Sequence, residues 1–321
     1  MRRLLLTLVL LFSALRADAK PLKVGMAIPS YAHAVLWIAQ EGGFFKKNGL
    51  EVEVFVLKGS AEAAKLAASG GMDVVLAGGD AVVKADLAGA DLVAFAGLVN
   101  TFYHRLAAKK EVSKPEDLKG KAIGLPFLGG PQDMTARAAL KKFGLAPEKD
   151  VQLRNMGAEF ARLAAVTQGR VDAVTTDAPP AVLDGLGLGV VADVPSWKIP
   201  FPYMAAISSR KFLDSDPETA AKFLKALCEA MAFYRDDEKG SLALLAKVMP
   251  EERGTAADPA ALYKANGPSR FTFPPKPDAA GFRTVLDFLD DANAAKKNPE
   301  DFIDNRVIEK LEKDGVFKRP G

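Results

Sequence analysis

The chain has 321 residues, of which 49% are hydrophobic and 26% are charged, and its formal net charge at pH 7 is +3. A chain of this length predicts about two domains, each large enough to bury its own core. Lys and Arg residues are interspersed with acidic residues and do not form the basic blocks that bind phosphate backbones. Nucleic acid is therefore excluded from the expected partners, and so is a strongly acidic membrane surface.

The N-terminus has the three parts of a cleavable export signal. Two arginines are followed by an apolar run, Leu4 to Leu15, and Ala17-Asp18-Ala19 fits an A-x-A cleavage site. The run is too short to cross a bilayer as a helix, which takes about 20 residues. We predict a signal peptide over residues 1–19, cleavage after Ala19 and a periplasmic mature protein. An uncleaved anchor is the alternative.

The chain contains a single cysteine, Cys228, so an exported protein has no internal disulfide and depends on apolar burial for its stability. The residue directly after the predicted cleavage site is not a cysteine, so lipid attachment has no acceptor there. Cys228 lies beside an apolar stripe of a helix predicted to begin at Pro217, with Asp216 as its N-cap. We therefore interpret Cys228 as a core thiol and not as a nucleophile.

Short apolar strands alternate with helical segments along most of the chain, which predicts an α/β fold with parallel sheets covered by helices on both faces. Strands are predicted at residues 23–28, 51–57, 73–77, 92–98, 122–126, 151–155, 172–176, 190–194 and 204–208. Helices are predicted at residues 34–48, 61–69, 81–88, 131–143 and 160–168, and the chain after residue 208 is expected to be mostly helical.

The order of these elements predicts two doubly wound lobes. Lobe I is expected to comprise residues 20–105 and 206–321, and lobe II residues 106–205. Such a chain crosses between the lobes twice, near residues 101–106 and near residues 203–208, and these crossings are expected to form a two-strand hinge.

Ligand sites in sheets of this kind lie beyond the carboxyl ends of the strands. Several of the loops there are rich in Gly or Ser and lead directly into a helix, so that backbone N–H groups and the positive end of the helix dipole point at the cleft. Simple tight turns are the alternative interpretation of these glycines. The candidate ligand-binding residues are Ser30, Tyr31, His33, Ser60, Gly79, Asp80, Thr101, Tyr103, Gly129, Gly130, Asp177 and Tyr203.

The polar candidates leave two questions open. Asp80 and Asp177 either cap the following helix or bind an amino or ring N–H group of the solute, which would then be zwitterionic or heterocyclic. His33 is interpreted as a hydrogen-bond donor to the ligand or as a satisfied cap. With His104 as the only other histidine, no His/Cys cluster has the spacing of a metal site, so we expect neither a metal nor another cofactor.

Five segments carry a resemblance to a known family: Trp37 to Leu50, Gly70 to Val75, Ser113 to Gly124, Gly169 to Val174 and Phe302 to Phe317. Together they resemble the solute-binding proteins of nitrate, sulfonate and taurine-type ABC importers. The resemblance implies the type II periplasmic binding fold over most of the mature chain. These segments are scaffold positions, so they indicate the family and not the ligand.

The resemblance implies a receptor that closes its lobes on a small-molecule solute and delivers it to an ABC permease with a separate ATPase. It places the solute against residues 30–33, Gly59-Ser60, Gly79-Asp80 and residues 128–130. Because Asp80 and Asp177 disfavour a bare inorganic anion, we expect a small organic anion, a sulfonate or carboxylate with or without an amino group, bound by a monomer.

The alternative within the same fold is a protein that binds or synthesises a pyrimidine or thiamine precursor. The glycine-rich stretch at residues 185–189 precedes a predicted strand instead of following one, so it is not a dinucleotide-binding motif. The sequence also lacks a P-loop and a nucleophile turn near either histidine. Export disfavours a biosynthetic role, so we do not expect an enzyme.

Overall fold

The computed structural model describes residues 20–28, 31–248, 260, 263–264, 267–289 and 291–317. Within these residues the chain forms two five-stranded mixed sheets with helices packed on them, which confirms the predicted α/β class. The predicted signal peptide lies outside the described residues. The ten strands are β1 (Leu22–Met26), β2 (Val52–Val56), β3 (Val74–Ala77), β4 (Leu92–Thr101), β5 (Arg105–Lys109), β6 (Ala122–Leu125), β7 (Gln152–Asn155), β8 (Ala173–Thr176), β9 (Leu188–Ala192) and β10 (Pro200–Ser209).

The first sheet has the strand order β2-β1-β3-β10-β4, and the second has the order β7-β6-β8-β5-β9. Each sheet contains three parallel strands from its own lobe, β1 to β3 and β6 to β8. One strand in each sheet runs against the others: β10 is antiparallel to its neighbours β3 and β4, and β5 is antiparallel to its neighbours β8 and β9. The carboxyl ends of the parallel strands are where the glycine-rich loops begin.

Helices connect and cover the strands, and none in the described part of the chain is both long and apolar enough to cross a membrane. They are α1 (Ala34–Glu41), α2 (Phe44–Lys47), α3 (Ser60–Ala68), α4 (Asp80–Leu87), α5 (Pro131–Lys142), α6 (Glu159–Thr167), α7 (Pro180–Gly185), α8 (Arg210–Ser215), α9 (Pro217–Asp236), α10 (Glu238–Val248), α11 (Ala279–Phe288) and α12 (Arg306–Lys313). Short 3-10 turns lie at Tyr31–His33, Pro115–Leu118 and Val194–Trp197.

The helix predicted over residues 34–48 is in fact two helices. The first ends at Glu41 and the second begins at Phe44, and Gly43 between them has a φ of 74°. A residue in the left-handed region cannot continue a right-handed helix, so the chain turns at this glycine. The prediction of one continuous helix is therefore wrong.

The two crossings between the sheets lie close together. The first comprises Phe102 to His104, between β4 and β5, and the second comprises residues 193–199, between β9 and β10. Because Pro200 already pairs with Thr101 in the first sheet, the second crossing ends before β10 and does not fall within residues 203–208. The division into lobes remains a proposal, and strand pairing favours residue 199 over residue 205 as its second boundary.

Helix α9 contributes its buried apolar face to the core of lobe I. Asp216 caps it as predicted, because its side chain accepts a hydrogen bond from the Thr219 amide at 3.1 Å. Within the helix, Phe223 stacks on Phe45 with ring centres 5.5 Å apart. Cys228 is buried in the same core, and burial raises the pKa of its thiol to about 12. A thiol that stays protonated at neutral pH is a poor nucleophile, in agreement with a structural role.

Removal of the Phe223 ring tests this core. We expect Phe223→Ala to lower the free energy of unfolding by about 3–5 kcal/mol, because it leaves a cavity between α9 and the first sheet. Lys225→Ala, on the exposed face of the same helix, is the matched control and should change the stability little. Urea denaturation of the three proteins measures both values, and equal losses would contradict the packing described for α9.

Candidate functional site

A cavity of about 40 Å³ lies between the two lobes, at the carboxyl ends of β1, β2, β3 and β6. Residues from both sheets line it: Ala27, Ile28, His33, Gly59, Ser60, Ala77, Gly78, Pro126, Phe127, Gly130, Pro131, Gln132 and Tyr203. This volume has room for a few water molecules at most. In this structure the cavity is therefore too small for an organic solute.

Two glycines allow the lobes to approach this closely. A Cβ atom on Gly59 would lie 3.3 Å from the Phe127 ring of the opposite lobe, and the φ of Gly59 is 92°. A Cβ atom on Gly78 would lie 2.3 Å from the Pro131 side chain, a distance that real Cβ atoms do not show. Glycine is therefore required at both positions for the lobes to meet.

Lys84 joins the two lobes beside the cavity. Lys84 on α4 forms an ion pair with Asp80 of the same helix, with Nζ and Oδ2 2.8 Å apart, and it also donates a hydrogen bond to the Gly129 carbonyl of lobe II. The Asp80 side chain is fully buried, and its Oδ1 atom has no hydrogen-bond partner. Burial raises the pKa of Asp80, and Lys84 opposes that rise.

Neither aspartate of the predicted pair occupies the N-cap position of the following helix. Asp80 is the first residue of α4, whose N-cap position is Gly79, and Asp177 lies three residues before α7, whose N-cap position is Pro179. The N-cap residues themselves form no side-chain cap bond. The N-cap positions therefore do not fall on the two aspartates, because α4 begins one residue too early for Asp80 and α7 begins two residues too late for Asp177.

A network of buried polar side chains begins at the cavity wall. The Tyr203 hydroxyl lies 2.7 Å from Nδ1 of His104, and Nε2 of His104 lies 3.0 Å from the Gln132 side-chain nitrogen. The Gln132 oxygen accepts hydrogen bonds from Thr175 at 2.8 Å and from Arg162 at 3.3 Å. The network connects β10 of the first sheet to the interior of lobe II.

Tyr103, a predicted site residue that is not in the cavity lining, packs against this network. The Tyr103 ring stacks on the Tyr203 ring with centres 5.3 Å apart, and the Arg270 guanidinium lies over the Tyr103 ring at 5.1 Å. Burial raises the pKa of both tyrosines well above the usual value, and the negative charge of Asp177 adds to the rise. Asp177 therefore lies close to the pair, although it does not line the cavity.

The predicted residues lie in different parts of the structure. His33, Ser60, Gly130 and Tyr203 line the cavity, and Asp80 and Gly129 lie at the contact between the lobes. Gly79 instead packs within lobe I, where its amide donates a hydrogen bond to the Pro202 carbonyl at 2.7 Å. Thr101 is exposed at the end of β4, where it pairs with Pro200, and is not part of the cavity lining. Ser30 and the side chain of Tyr31 lie outside the described residues.

Ile28, Phe127 and Gln132 in the lining and Lys84 beside it are not among the residues predicted from the sequence. Two of them had a local signal. Lys84 follows Asp80 by four residues on a helix, which is the spacing of a helical ion pair. Gln132 directly follows Pro131 at the start of α5, two residues beyond the predicted loop at residues 128–130.

The cavity lining carries no positive side chain. No Lys or Arg is among the described residues that line it. Burial lowers the pKa of His33 to about 4, although a hydrogen bond with the Leu76 backbone opposes the shift, so the ring is neutral at pH 7. Positive potential at the cavity therefore comes mainly from the N-termini of α3 and α5, where Ser60 and Gly130 lie.

Among the described residues, no group of three or more His, Cys, Asp or Glu side chains is placed to hold a metal ion. The polar groups that are present instead donate and accept hydrogen bonds. The Ser60 hydroxyl accepts a bond from the Gly78 amide at 3.1 Å, which leaves its own proton for donation. Ser60 can therefore donate a hydrogen bond at the cavity that it lines.

A family model described as NMT1/THI5 like matches residues 30–239, which is well over half of the chain. The chain therefore belongs to the NMT1/THI5-like family. The predicted resemblance to the binding proteins of nitrate, sulfonate and taurine-type importers is confirmed, since proteins of this type are among its structural neighbours.

Three relatives show how broad the family is. YtlA of Bacillus subtilis, named as a binding protein, is 30% identical over 222 residues, or 67% of this chain and 66% of the relative. A protein of Haemophilus influenzae named for thiamine biosynthesis is 26% identical over 263 residues, or 80% of this chain and 82% of the relative. The formylaminopyrimidine-binding protein of Halalkalibacterium halodurans is 22% identical over 224 residues, or 68% of this chain and 67% of the relative.

Two solved structures establish the fold. The alkanesulfonate-binding protein SsuA of Xanthomonas axonopodis, bound to MOPS, has a TM-score of 0.68 at 18% identity over 94% of this chain and 96% of SsuA. The periplasmic nitrate-binding protein NrtA of Synechocystis has a TM-score of 0.70 at 18% identity over 92% of this chain and 89% of NrtA. The chain has the periplasmic binding protein fold that was predicted.

The Lys84 contact generates a stability prediction. Lys84→Met leaves the Asp80 carboxylate buried without its cation, so we expect the free energy of unfolding to fall by about 2–3 kcal/mol near pH 7. The loss should be smaller at pH 5. The pKa of Asp80 is raised by burial, so its carboxyl takes up a proton more readily as the pH falls, and a protonated carboxyl no longer needs the cation. Lys222→Met, in the exposed i,i+4 pair with Glu218, is the control and should change little. Urea denaturation at both pH values measures the losses of stability, and equal losses in the two variants would contradict the prediction.

The neutral state of His33 generates a prediction on pH. Because the pKa of His33 is about 4 in the folded protein, protonation of this residue favours the unfolded chain as the pH falls below about 6.5. We expect wild type to lose about 2.5 kcal/mol more than His33→Gln between pH 7.5 and pH 4.5. Chemical denaturation across this range measures the difference, and parallel stability curves for the two proteins would contradict it.

Proposed function

We propose that this protein is the solute-binding receptor of an ABC importer and that it binds a small, planar nitrogen heterocycle of the aminopyrimidine type between its lobes. The solute is then delivered to a permease with a separate ATPase. The observation that carries this proposal is an interlobe cavity with aromatic walls, mixed hydrogen-bonding groups and no cationic side chain among the described residues that line it.

The apolar part of the lining favours a flat ring. Phe127 from lobe II and Tyr203 from β10 both line the cavity, together with Ile28 and Pro131. Aromatic and proline side chains offer flat faces against which a planar heterocycle packs over its whole surface. A flexible aliphatic solute would use these faces less completely.

The charge of the site favours a neutral or zwitterionic solute over an anion. A sulfonate or carboxylate would lack a cationic side-chain partner among the described lining residues, and it would lie near the buried carboxylate of Asp80. A heterocycle with an amino group avoids both costs, because it is uncharged and offers N–H donors as well as ring acceptors. Two relatives named for thiamine biosynthesis and for binding formylaminopyrimidine support the same class.

An organic anion is the second candidate. The specific observation in its favour is that Gly130, at the N-cap position of α5, lines the cavity, and helix N-termini bind anions through free backbone N–H groups. A thermal-shift screen with both classes of solute decides between the two candidates.

The predicted leader and the family support a periplasmic location. We propose that residues 1–19 are removed on export and that the mature protein works as a monomer, binding its solute without changing it chemically. N-terminal sequencing of the periplasmic fraction should begin at Lys20, and solute recovered from the protein should have an unaltered mass. A mature N-terminus that retained the leader, or a converted solute, would contradict these proposals.

A thermal-shift screen tests the ligand class. We expect 4-aminopyrimidines to raise the melting temperature, with a stabilisation of about 2.7 kcal/mol at a hundredfold excess over the dissociation constant. The panel should also contain aliphatic sulfonates, carboxylates and nitrate. A shift with sulfonates or carboxylates alone would favour the second candidate, and the absence of any shift across the panel would contradict the receptor proposal.

Gly130→Val tests the position of the site. A Cβ atom at Gly130 would come no closer than 3.9 Å to any neighbouring atom, so valine fits the fold but projects a side chain where the cavity lies. We expect this variant to fold and to lose the thermal shift. Gly189→Val on the edge strand β9, where a Cβ atom also meets nothing within 4 Å, is the matched control and should keep the shift.

A further inference from the structure

Four buried side chains form a hydrogen-bonded chain from the cavity to the interior of lobe II: Tyr203, His104, Gln132 and Arg162. Their exposed fractions are 7%, 2%, 7% and 1%. The links are Tyr203 to His104 at 2.7 Å, His104 to Gln132 at 3.0 Å and Gln132 to Arg162 at 3.3 Å. The direction of donation along this chain can be deduced from its buried end.

Arg162 determines the orientation of the Gln132 amide. A guanidinium group has only N–H donors, so the atom of Gln132 that faces it has to be the carbonyl oxygen. The Thr175 hydroxyl donates to the same oxygen at 2.8 Å. Arg162 is itself held by Glu159 and by the backbone carbonyl of Gly157. The NH₂ group of Gln132 therefore faces His104.

The orientation of Gln132 in turn determines the tautomer of His104. Nε2 of His104 accepts a hydrogen bond from the Gln132 NH₂ group, so it cannot carry a proton in the neutral ring. Burial and the nearby arginines lower the pKa of His104 well below its usual value, which keeps the ring neutral. The single ring proton is therefore on Nδ1, and it is donated to the Tyr203 oxygen.

The Tyr203 hydroxyl then has its own proton left to donate. Burial raises the pKa of Tyr203 well above its usual value, so the phenol keeps its proton at neutral pH. Its oxygen already accepts the bond from His104, so its own proton points away from His104. Since Tyr203 lines the cavity, that proton is available to a bound solute.

We propose that Gln132 is a positioning residue that makes Tyr203 a hydrogen-bond donor to the solute, so that the solute presents an acceptor atom, a ring nitrogen or a carbonyl oxygen, at this position. This inference rests on the proposed function for the identity of the site and adds the polarity of one contact. A solute that presents an N–H group to Tyr203 would leave two donors facing each other, which is unfavourable in a buried site.

The tautomer can be measured directly without any solute. The chain has only two histidines, His33 and His104, so ¹⁵N-histidine labelling gives the signals of two rings. The signals that disappear in His33→Gln belong to His33, and the remaining signals belong to His104. Long-range ¹H–¹⁵N spectra distinguish the two neutral tautomers. We expect His104 to carry its proton on Nδ1 in wild type, and a proton on Nε2 would overturn the proposal.

The four hydrogen-bonded side chains form a relay, and Gln132→Glu should reverse the direction of hydrogen-bond donation along it. A carboxylate has no donor, so Nε2 of His104 has to donate to it, and Nδ1 becomes an acceptor for the Tyr203 hydroxyl. At about pH 8.5, above the usual range of histidine pKa values, we expect the same spectra to show the proton on Nε2. Gln152→Glu is the control, because Gln152 is an exposed glutamine that also accepts a bond from an arginine, Arg154. It should leave the His104 spectrum unchanged.

Binding of two probes of the same shape tests the consequence for specificity. Aniline has the ring and amino group of 4-aminopyrimidine but lacks the ring nitrogens that accept hydrogen bonds. We expect wild type and Gln152→Glu to prefer 4-aminopyrimidine by about tenfold or more, and Gln132→Glu to lose that preference. An equal preference in all three proteins, with the variants folded by circular dichroism, would overturn the proposal. If neither probe binds wild type, the aminopyrimidine proposal fails, and the histidine spectra still decide the relay.

Discussion

The pairing of β4 with β10 is the constraint on which the rest of the structure depends. These two strands of ten residues lie side by side and antiparallel in the first sheet, and the chain leaves for lobe II from the end of one and returns at the start of the other. The rings of Phe102 and Phe201 stack at this end with centres 4.2 Å apart. The pairing therefore places His104 and Tyr203, which are 99 residues apart in the chain, within hydrogen-bond distance beside the cavity.

The chemistry of the cavity follows from what the two lobes can bury when they meet. Two glycines allow the close approach, and Lys84 lies at the contact beside the cavity, where Asp80 and the Gly129 carbonyl bind it. An anionic solute would therefore have to rely on helix N-termini and hydroxyl groups, without a cationic side chain among the described lining residues, whereas a neutral heterocycle needs only correctly directed donors and acceptors. The relay through Gln132 supplies one such direction, since a buried donor holds its orientation only when every partner behind it is satisfied.

The fold could be predicted from the sequence because its signals are local. Runs such as Asp73-Val74-Val75-Leu76-Ala77 read as buried strands, and glycines follow the helices. Strand β5 was missed because Arg105–Lys109 is short and alanine-rich. The site could be predicted only as a set of loops. The contact between His104 and Gln132 joins residues 28 positions apart on different elements, and the polarity of the cavity depends on where side chains point, which no local pattern records.

The central claim is that the lobes separate and close around a solute, and the distance between them tests it most directly. Spin labels on Lys65→Cys in lobe I and Lys149→Cys in lobe II would report that distance, because both positions are exposed and Cys228 is buried and unreactive. Double electron–electron resonance should show a broad distribution for the free protein and a shorter, narrower one with saturating 4-aminopyrimidine or another solute that raises the melting temperature. Identical distributions with and without such a solute would contradict the account.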